Sequence, residues 1–194
     1  EGPFTKKGSY MLAIRKSYFE LVKEQLATDL LPNYWDINGK ASFDISGKEK
    51  LSFTGTYITD HAEAYQDLTG NENDTVDLVL FNSSVKYSNL FKDVSFTTVT
   101  GYSLSSYDVR YHLYDLDIKD RYVMSSQYLS LKINRMFTLD AVTGLKYYFS
   151  EYKVAHSSTI NESNYYVPQL YVDTEVKTFK AYGGVNLTST LMNG

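Results

Sequence analysis

The sequence predicts an all-β chain, an antiparallel up-and-down β-barrel segment of about eight strands with a short helix in its first long loop. Three observations predict it. Long stretches alternate apolar and polar residues with the period of a strand. Tyrosine occurs 19 times and proline only 3, a bias that suits pleated surfaces, which favour aromatic and β-branched side chains and are interrupted by proline. Short connections alternate with long ones, so that all the short ones fall at the same end.

The first strand is read over Gly8–Ser17, where Tyr10, Leu12 and Ile14 alternate with Ser9, Met11, Ala13 and Arg15. The pattern then turns helical. Ser17 and Glu20 have capping-box spacing, and Tyr18, Val22 and Leu26 recur at four-residue steps until Pro32 forbids continuation. The second strand, Tyr34–Ile45, carries Trp35, Ile37, Gly39, Ala41, Phe43 and Ile45 on one face, and the third, Lys50–Asp60, carries Leu51, Phe53, Gly55 and Tyr57. The fourth, Val79–Ser88, is marked by Phe81, Val85 and Tyr87. The fifth, Asp93–Leu104, shows Val94, Phe96, Thr98, Thr100, Tyr102 and Leu104. The sixth, Tyr122–Asn134, is clear at Leu129, Leu131 and Ile133. The seventh, Phe137–Ser150, shows Leu139, Ala141, Leu145, Tyr147 and Phe149, and the eighth, Val176–Leu187, shows Phe179, Ala181, Val185 and Leu187. Short turns join strands two and three, four and five, and six and seven. Long connections are expected at Tyr18–Asn33, His61–Leu78, Ser105–Arg121 and Glu151–Glu175.

Charges within these spans sort to one side. Arg15, Asp36, Lys40, Asp44, Lys86, Asp140, Lys146 and Lys180 lie opposite the apolar set, and Lys16, at a strand end where its stem can reach an interface, is the nearest exception. Alternation alone does not say which solvent the apolar side meets, since a soluble barrel turns it inward. Strand length, aromatic residues expected near strand ends (Trp35, Tyr57, Tyr87, Tyr102, Tyr147) and long loops at one end favour lipid, and hence a transmembrane barrel.

Composition excludes several classes. Cysteine is absent, so there is no disulfide frame and no thiolate chemistry. The formal charge is −4 and no basic run points to nucleic acid. His61, His112 and His156 lack metal-ligand spacing and read as loop residues. Thr69–Asp77, "TGNENDTVD", is rich in oxygen donors but lacks the EF-hand spacing, and a solvated loop tip explains it. No nucleophile elbow or phosphate loop is present, so no enzyme, cofactor or metal is expected.

The segments "EGPFTKKGSYMLAIRKSYFELV" and "LPNYWDINGKASFDISGKEKLSFTGTY" resemble the start of the β-barrel in TonB-dependent outer-membrane receptors. In that family a Gly-Pro follows the plug domain, a basic residue and Ser-Tyr end the first strand (here Arg15, Lys16, Ser17 and Tyr18), and a Leu-Pro-x-Tyr-x-Asp segment (Leu31–Asp36) starts the next. "AVTGLKYYF" and "TFKAYGGVNLTSTL" resemble its recurring barrel strands. The resemblance implies that residues 1–194 are a partial barrel domain from the N-terminal part of the barrel, lacking the plug. It implies a bacterial outer-membrane location, with outer-membrane lipid, the plug, the remaining strands, TonB and a small-molecule or polymer nutrient as partners. The nutrient is left open among iron chelates, cobalamin, glycans and peptides. The alternatives are a small free-standing outer-membrane barrel of structural or lipid-modifying role and, thirdly, a soluble barrel carrying a lipophilic ligand.

Candidate ligand contacts are the loop aromatics Tyr111, Tyr114, Tyr165, Tyr166 and Tyr171, whose rings give contact area at low entropic cost. Packing among loops explains them equally well. Arg15 is the remaining candidate, with a plug carboxylate or Asp36 as its expected partner. Asp36, Lys40 and Asp44 share one face and would line the lumen, where a solvated wall is the plainer reading.

Overall fold

The computed structural model describes residues 1–17, 31–64, 74–111, 114–134, 136–156 and 171–189. These form one antiparallel sheet of nine strands in sequence order: β1 (Gly2–Thr5), β2 (Gly8–Lys16), β3 (Leu31–Asp44), β4 (Glu49–Ala64), β5 (Asp74–Phe91), β6 (Val94–Tyr111), β7 (Tyr114–Lys132), β8 (Phe137–His156) and β9 (Tyr171–Ser189). This is the expected up-and-down arrangement, with one strand more than the eight read from sequence. The addition is β1, four residues too short to show alternation, which folds back on β2 through a register shift between Pro3 and Thr5. The helix expected after Ser17 falls on residues outside those described. Pro32, expected to end it, stands in β3 opposite Ala62.

Four of the strands, β5, β6, β7 and β9, run to 18 or 19 residues and β8 to 20, longer than the alternation showed. Much of what reads as loop is therefore strand. Ser105–Arg121, expected as a long connection, is almost entirely β6 and β7, which pair as far as Tyr111 opposite Tyr114. The reason is physical. Alternation reports what the side chains face, and here it changes phase: Tyr107, Val109, Leu116 and Ile118 stand on the side that is polar lower down, with Asp108, Asp115, Asp117 and Lys119 on the other. Backbone pairing continues there regardless. His61 and His156 likewise stand in β4 and β8 rather than in loops, while His112 lies outside the described residues.

The short turns fall at one end, as expected. The link between β5 and β6 is two residues, with Lys92 in the left-handed region at φ 52°. Phe91 beside it receives Lys92 Nζ at 5.7 Å and Lys48 Nζ, from the neighbouring turn, at 6.0 Å from its ring centre.

The burial pattern is the reverse of a water-soluble domain's. Among the described residues no hydrophobic side chain is buried. The side chains sheltered within strands are Asp36, Ser42, Ser52, Ser103 and Ser126, and cross-strand register places all five on one face. The other face exposes Leu12, Ile14, Ile37, Phe53, Tyr57, Val123, Leu145, Tyr147 and Phe179. The sheet therefore curves around its polar side. A barrel carrying a lipophilic ligand would shelter its apolar side instead.

Candidate functional site

Two surfaces carry the chemistry: the concave polar wall and the outer rim at the long-connection end. On the wall, Arg15 stands directly opposite Asp36 and donates from Nε to both carboxylate oxygens, at 2.8 and 3.2 Å. Asn38 Nδ2 donates to Asp36 at 2.7 Å, and Thr56 Oγ1 donates to Asn38 Oδ1 at 2.8 Å, so the network crosses three strands. Asp36 is nearly buried whereas the Arg15 side chain is 68% exposed. Register explains why they meet: β2 and β3 are aligned so that Arg15 faces Asp36, Ser9 faces Ser42 and Ala13 faces Asn38. Ser42 and Ser52 share a hydrogen bond one strand further on, at 3.0 Å.

Toward β9 the wall becomes aromatic and cationic. The rings of Tyr122 and Tyr148 lie 5.7 Å apart across β7 and β8. Lys146 Nζ sits 3.5 Å from the centre of the first ring and 4.5 Å from the second, and Lys180 Nζ sits 5.1 Å from Tyr148. Next to them Tyr182 lies across Gly144 and shares a hydrogen bond with Ser126. A Cβ on Gly144 would fall 2.5 Å from the end of the tyrosine ring, so glycine is what lets the ring lie flat.

The apolar face has a sharp upper boundary. His61, Asp77, Asp108, Asp117, Lys153 and Asp173 form one cross-strand row on it, and Lys119, Glu151 and Glu175 belong to the row below. Oppositely charged neighbours pair here: Lys119 with Asp117 at 2.9 Å, Arg121 with Glu151 and Lys177 with Glu175 at 3.3 Å, and His61 Nδ1 shares a hydrogen bond with Asp77 at 2.6 Å. The hydrogen bond to Asp117 raises the pKa of Lys119 above the ordinary lysine value. Arg121 and Lys177 lie one row further down, flanking Phe149, and below them the face is free of charge as far as Glu49 on β4. On β4 the bounding residues are His61 and Glu49, twelve residues apart. At ~3.3 Å per residue and a tilt of ~40°, usual for membrane barrels, that is a band about 30 Å tall. At its lower edge Phe4 packs edge-on against Phe43 at 4.9 Å, covering Gly8.

Of the sequence-chosen contacts, Tyr111 and Tyr114 face each other at the top of β6 and β7, and Tyr171 opens β9 with its ring exposed. They are strand residues, not loop residues. Tyr165 and Tyr166 lie outside the described residues, as do Thr69–Asn73 of the acidic stretch, whose remainder begins β5. Trp35 stacks with Lys16, Nζ at 5.2 Å, at the top of β2 and β3. Tyr102 and Tyr147, expected near strand ends, lie well inside the longer strands, a few positions below the charged rows. The Tyr122–Tyr148–Lys146–Lys180 cluster escaped sequence reasoning because its members come from three strands and only register unites them. No group of His, Asp or Glu among the described residues could hold a metal ion.

No protein-family model matches the chain, and no curated protein matches it either. Among solved structures, the chain is similar to the ferric-catecholate import receptor Fiu from E. coli K12. The open form superposes with a TM-score of 0.51 at 11% identity, over 80% of this chain and 32% of that one. The closed form gives 0.47, also at 11% identity, over 82% and 30%. This chain thus spans about a third of the length of the structures it matches. At that identity the open form's likeness bears on fold alone, and it agrees with the nine-stranded antiparallel wall seen here.

Proposed function

We propose that this chain is part of the barrel wall of a TonB-dependent receptor in the bacterial outer membrane, which binds a scarce nutrient outside the cell and imports it. One observation carries the reading. The sheet shelters its polar face and exposes an apolar one, and the charge-free band on that face, about 30 Å tall, matches the hydrocarbon core of a bilayer. Water would make such a face a large association hazard, whereas lipid makes it the favourable side. The resemblance of the opening block to these receptors and the fold shared with an import receptor for ferric catecholates support the same reading. That receptor's ligand makes an iron chelate the first nutrient to try. The exposed edge of β9, which has no further strand beside it among the described residues, is where the remaining wall would join.

The test uses the full-length chain in its own cells. Recovery in the outer-membrane fraction, with heat-modifiable electrophoretic mobility, is expected, together with TonB-dependent uptake of a labelled nutrient that is lost on deletion. Recovery as a soluble protein would overturn the membrane reading. Outer-membrane recovery with unchanged uptake of every nutrient class named above would overturn the transport reading alone.

A further inference from the structure

Three adjoining cross-strand rows at mid-height on the concave face contain Lys40, Lys86, Lys146 and Lys180 and no carboxylate. None of the four ammonium groups forms an ion pair with a described residue. Some other cations are paired. Arg15, Lys50, Lys119, Arg121 and Lys177 each have a carboxylate within 4.0 Å. Lysines near strand ends, Lys16, Lys48, Lys92, Lys132 and Lys153, likewise have no carboxylate partner among the described residues; what sets the middle of the sheltered side apart is four such lysines in three rows that hold no acid.

The sharpest case is Lys146 and Lys180, which stand directly opposite each other on β8 and β9. Like charges so placed repel. Their surroundings are the Tyr122 and Tyr148 rings, at 3.5, 4.5 and 5.1 Å from the two ammonium groups. An aromatic face attracts a cation but leaves its charge in place, and each ammonium still has N–H donors to satisfy. The acids of this face on β7 and β8, Asp120 and Asp140, belong to rows outside the three in question. An oxygen anion placed between the lysines would accept hydrogen bonds from both and remove the repulsion.

We propose that Lys146 and Lys180, on a floor of Tyr122 and Tyr148, form a subsite for a carboxylate group on the inner wall. The carboxylate belongs either to a dissolved polycarboxylate or to another segment of the same protein. The proposal rests on the concave face being the interior of the barrel. It does not need the transport reading, because it is tested by lysine reactivity rather than uptake.

The experiment is acylation of the folded full-length protein in detergent, with the modification rate of each lysine read by mass spectrometry. Lys6 and Lys7, on the exposed turn after β1, are the references. Citrate is the soluble probe, against chloride at equal ionic strength. If the carboxylate comes from solution, Lys146 and Lys180 react like the references without citrate and about tenfold more slowly at ten times its dissociation constant. Lys146→Gln should remove that protection from Lys180, and Lys180→Gln, on the exposed strand, should remove it from Lys146. If the carboxylate is internal, both lysines are protected without citrate, and 1 M sodium chloride restores their reactivity because it screens the pair. Reference-like rates with and without citrate would overturn the proposal. Protection that neither salt nor the partner's substitution changes would overturn it too, since that is burial rather than ion pairing.

Discussion

Leu145 offers the most direct test of which solvent the apolar face meets. Its side chain is 50% exposed and stands on β8 between Ser125 and Ala181, in a row free of charge. Glu151, the first charge above it on that face of β8, is six residues away. At ~3.3 Å per residue and a ~40° tilt, Leu145 is about 15 Å below the boundary, near the middle of the band. Arginine at the midplane of a membrane barrel costs about 2–4 kcal/mol. Leu145→Arg should therefore lower the folding equilibrium constant roughly 30-fold to several hundred-fold. The assay is reversible denaturant unfolding in lipid vesicles, comparing midpoints at unchanged slope. Thr178→Arg is the control: it is exposed, sits within the band about 8 Å above Leu145 by the same arithmetic and lies on the concave face, so its cost should be close to zero. Lys146, the natural neighbour of Leu145, already shows a cation tolerated one residue away on the other side. In water the expectation reverses, because an exposed leucine replaced by arginine changes stability by less than about 0.5 kcal/mol. A shift that small, or equal shifts for the two variants, would refute the lipid assignment.

Four further substitutions test the wall and rim. Gly144→Ala must push Tyr182 off its seat, leaving Ser126, 2% exposed, without that partner; a loss of about 1–3 kcal/mol is expected. Tyr182→Phe should cost about 1 kcal/mol, and the double variant should cost less than the sum, as an unfolding cycle would show. Arg15→Met should cost about 1 kcal/mol rather than the larger penalty of a buried pair, since Arg15 is mostly exposed, and the difference from wild type should shrink in high salt. Asp117→Asn should bring the Lys119 titration back down toward the ordinary lysine value, read by NMR of the side-chain nitrogen. Because that pKa is raised in the folded protein, the pair's stabilisation is present below the ordinary lysine value and fades as pH rises through the folded one.

The amino-acid order alone determined the β architecture, its up-and-down connectivity and the two chemically distinct faces, because period-two alternation and turn residues are local properties. It also brought Arg15 and Asp36 within expectation of one another, since both flank a single connection. Strand ends were not legible, because above the charged boundary the alternation changes phase, with Val109, Leu116 and Ile118 on the side that is polar below; hence Tyr111 and Tyr114 read as loop residues and proved to be a facing pair. Phe4 was equally silent: its role comes from β1 folding back over Gly8. The Tyr122, Tyr148, Lys146 and Lys180 cluster was invisible for a different reason. Neighbours on separate strands are set by register, and register depends on every turn between them. Which face is sheltered was likewise decided only by the tertiary structure. Alternation is the same whichever way a sheet curves, and only the curvature places the serines and Asp36 inside and the leucines and aromatics out.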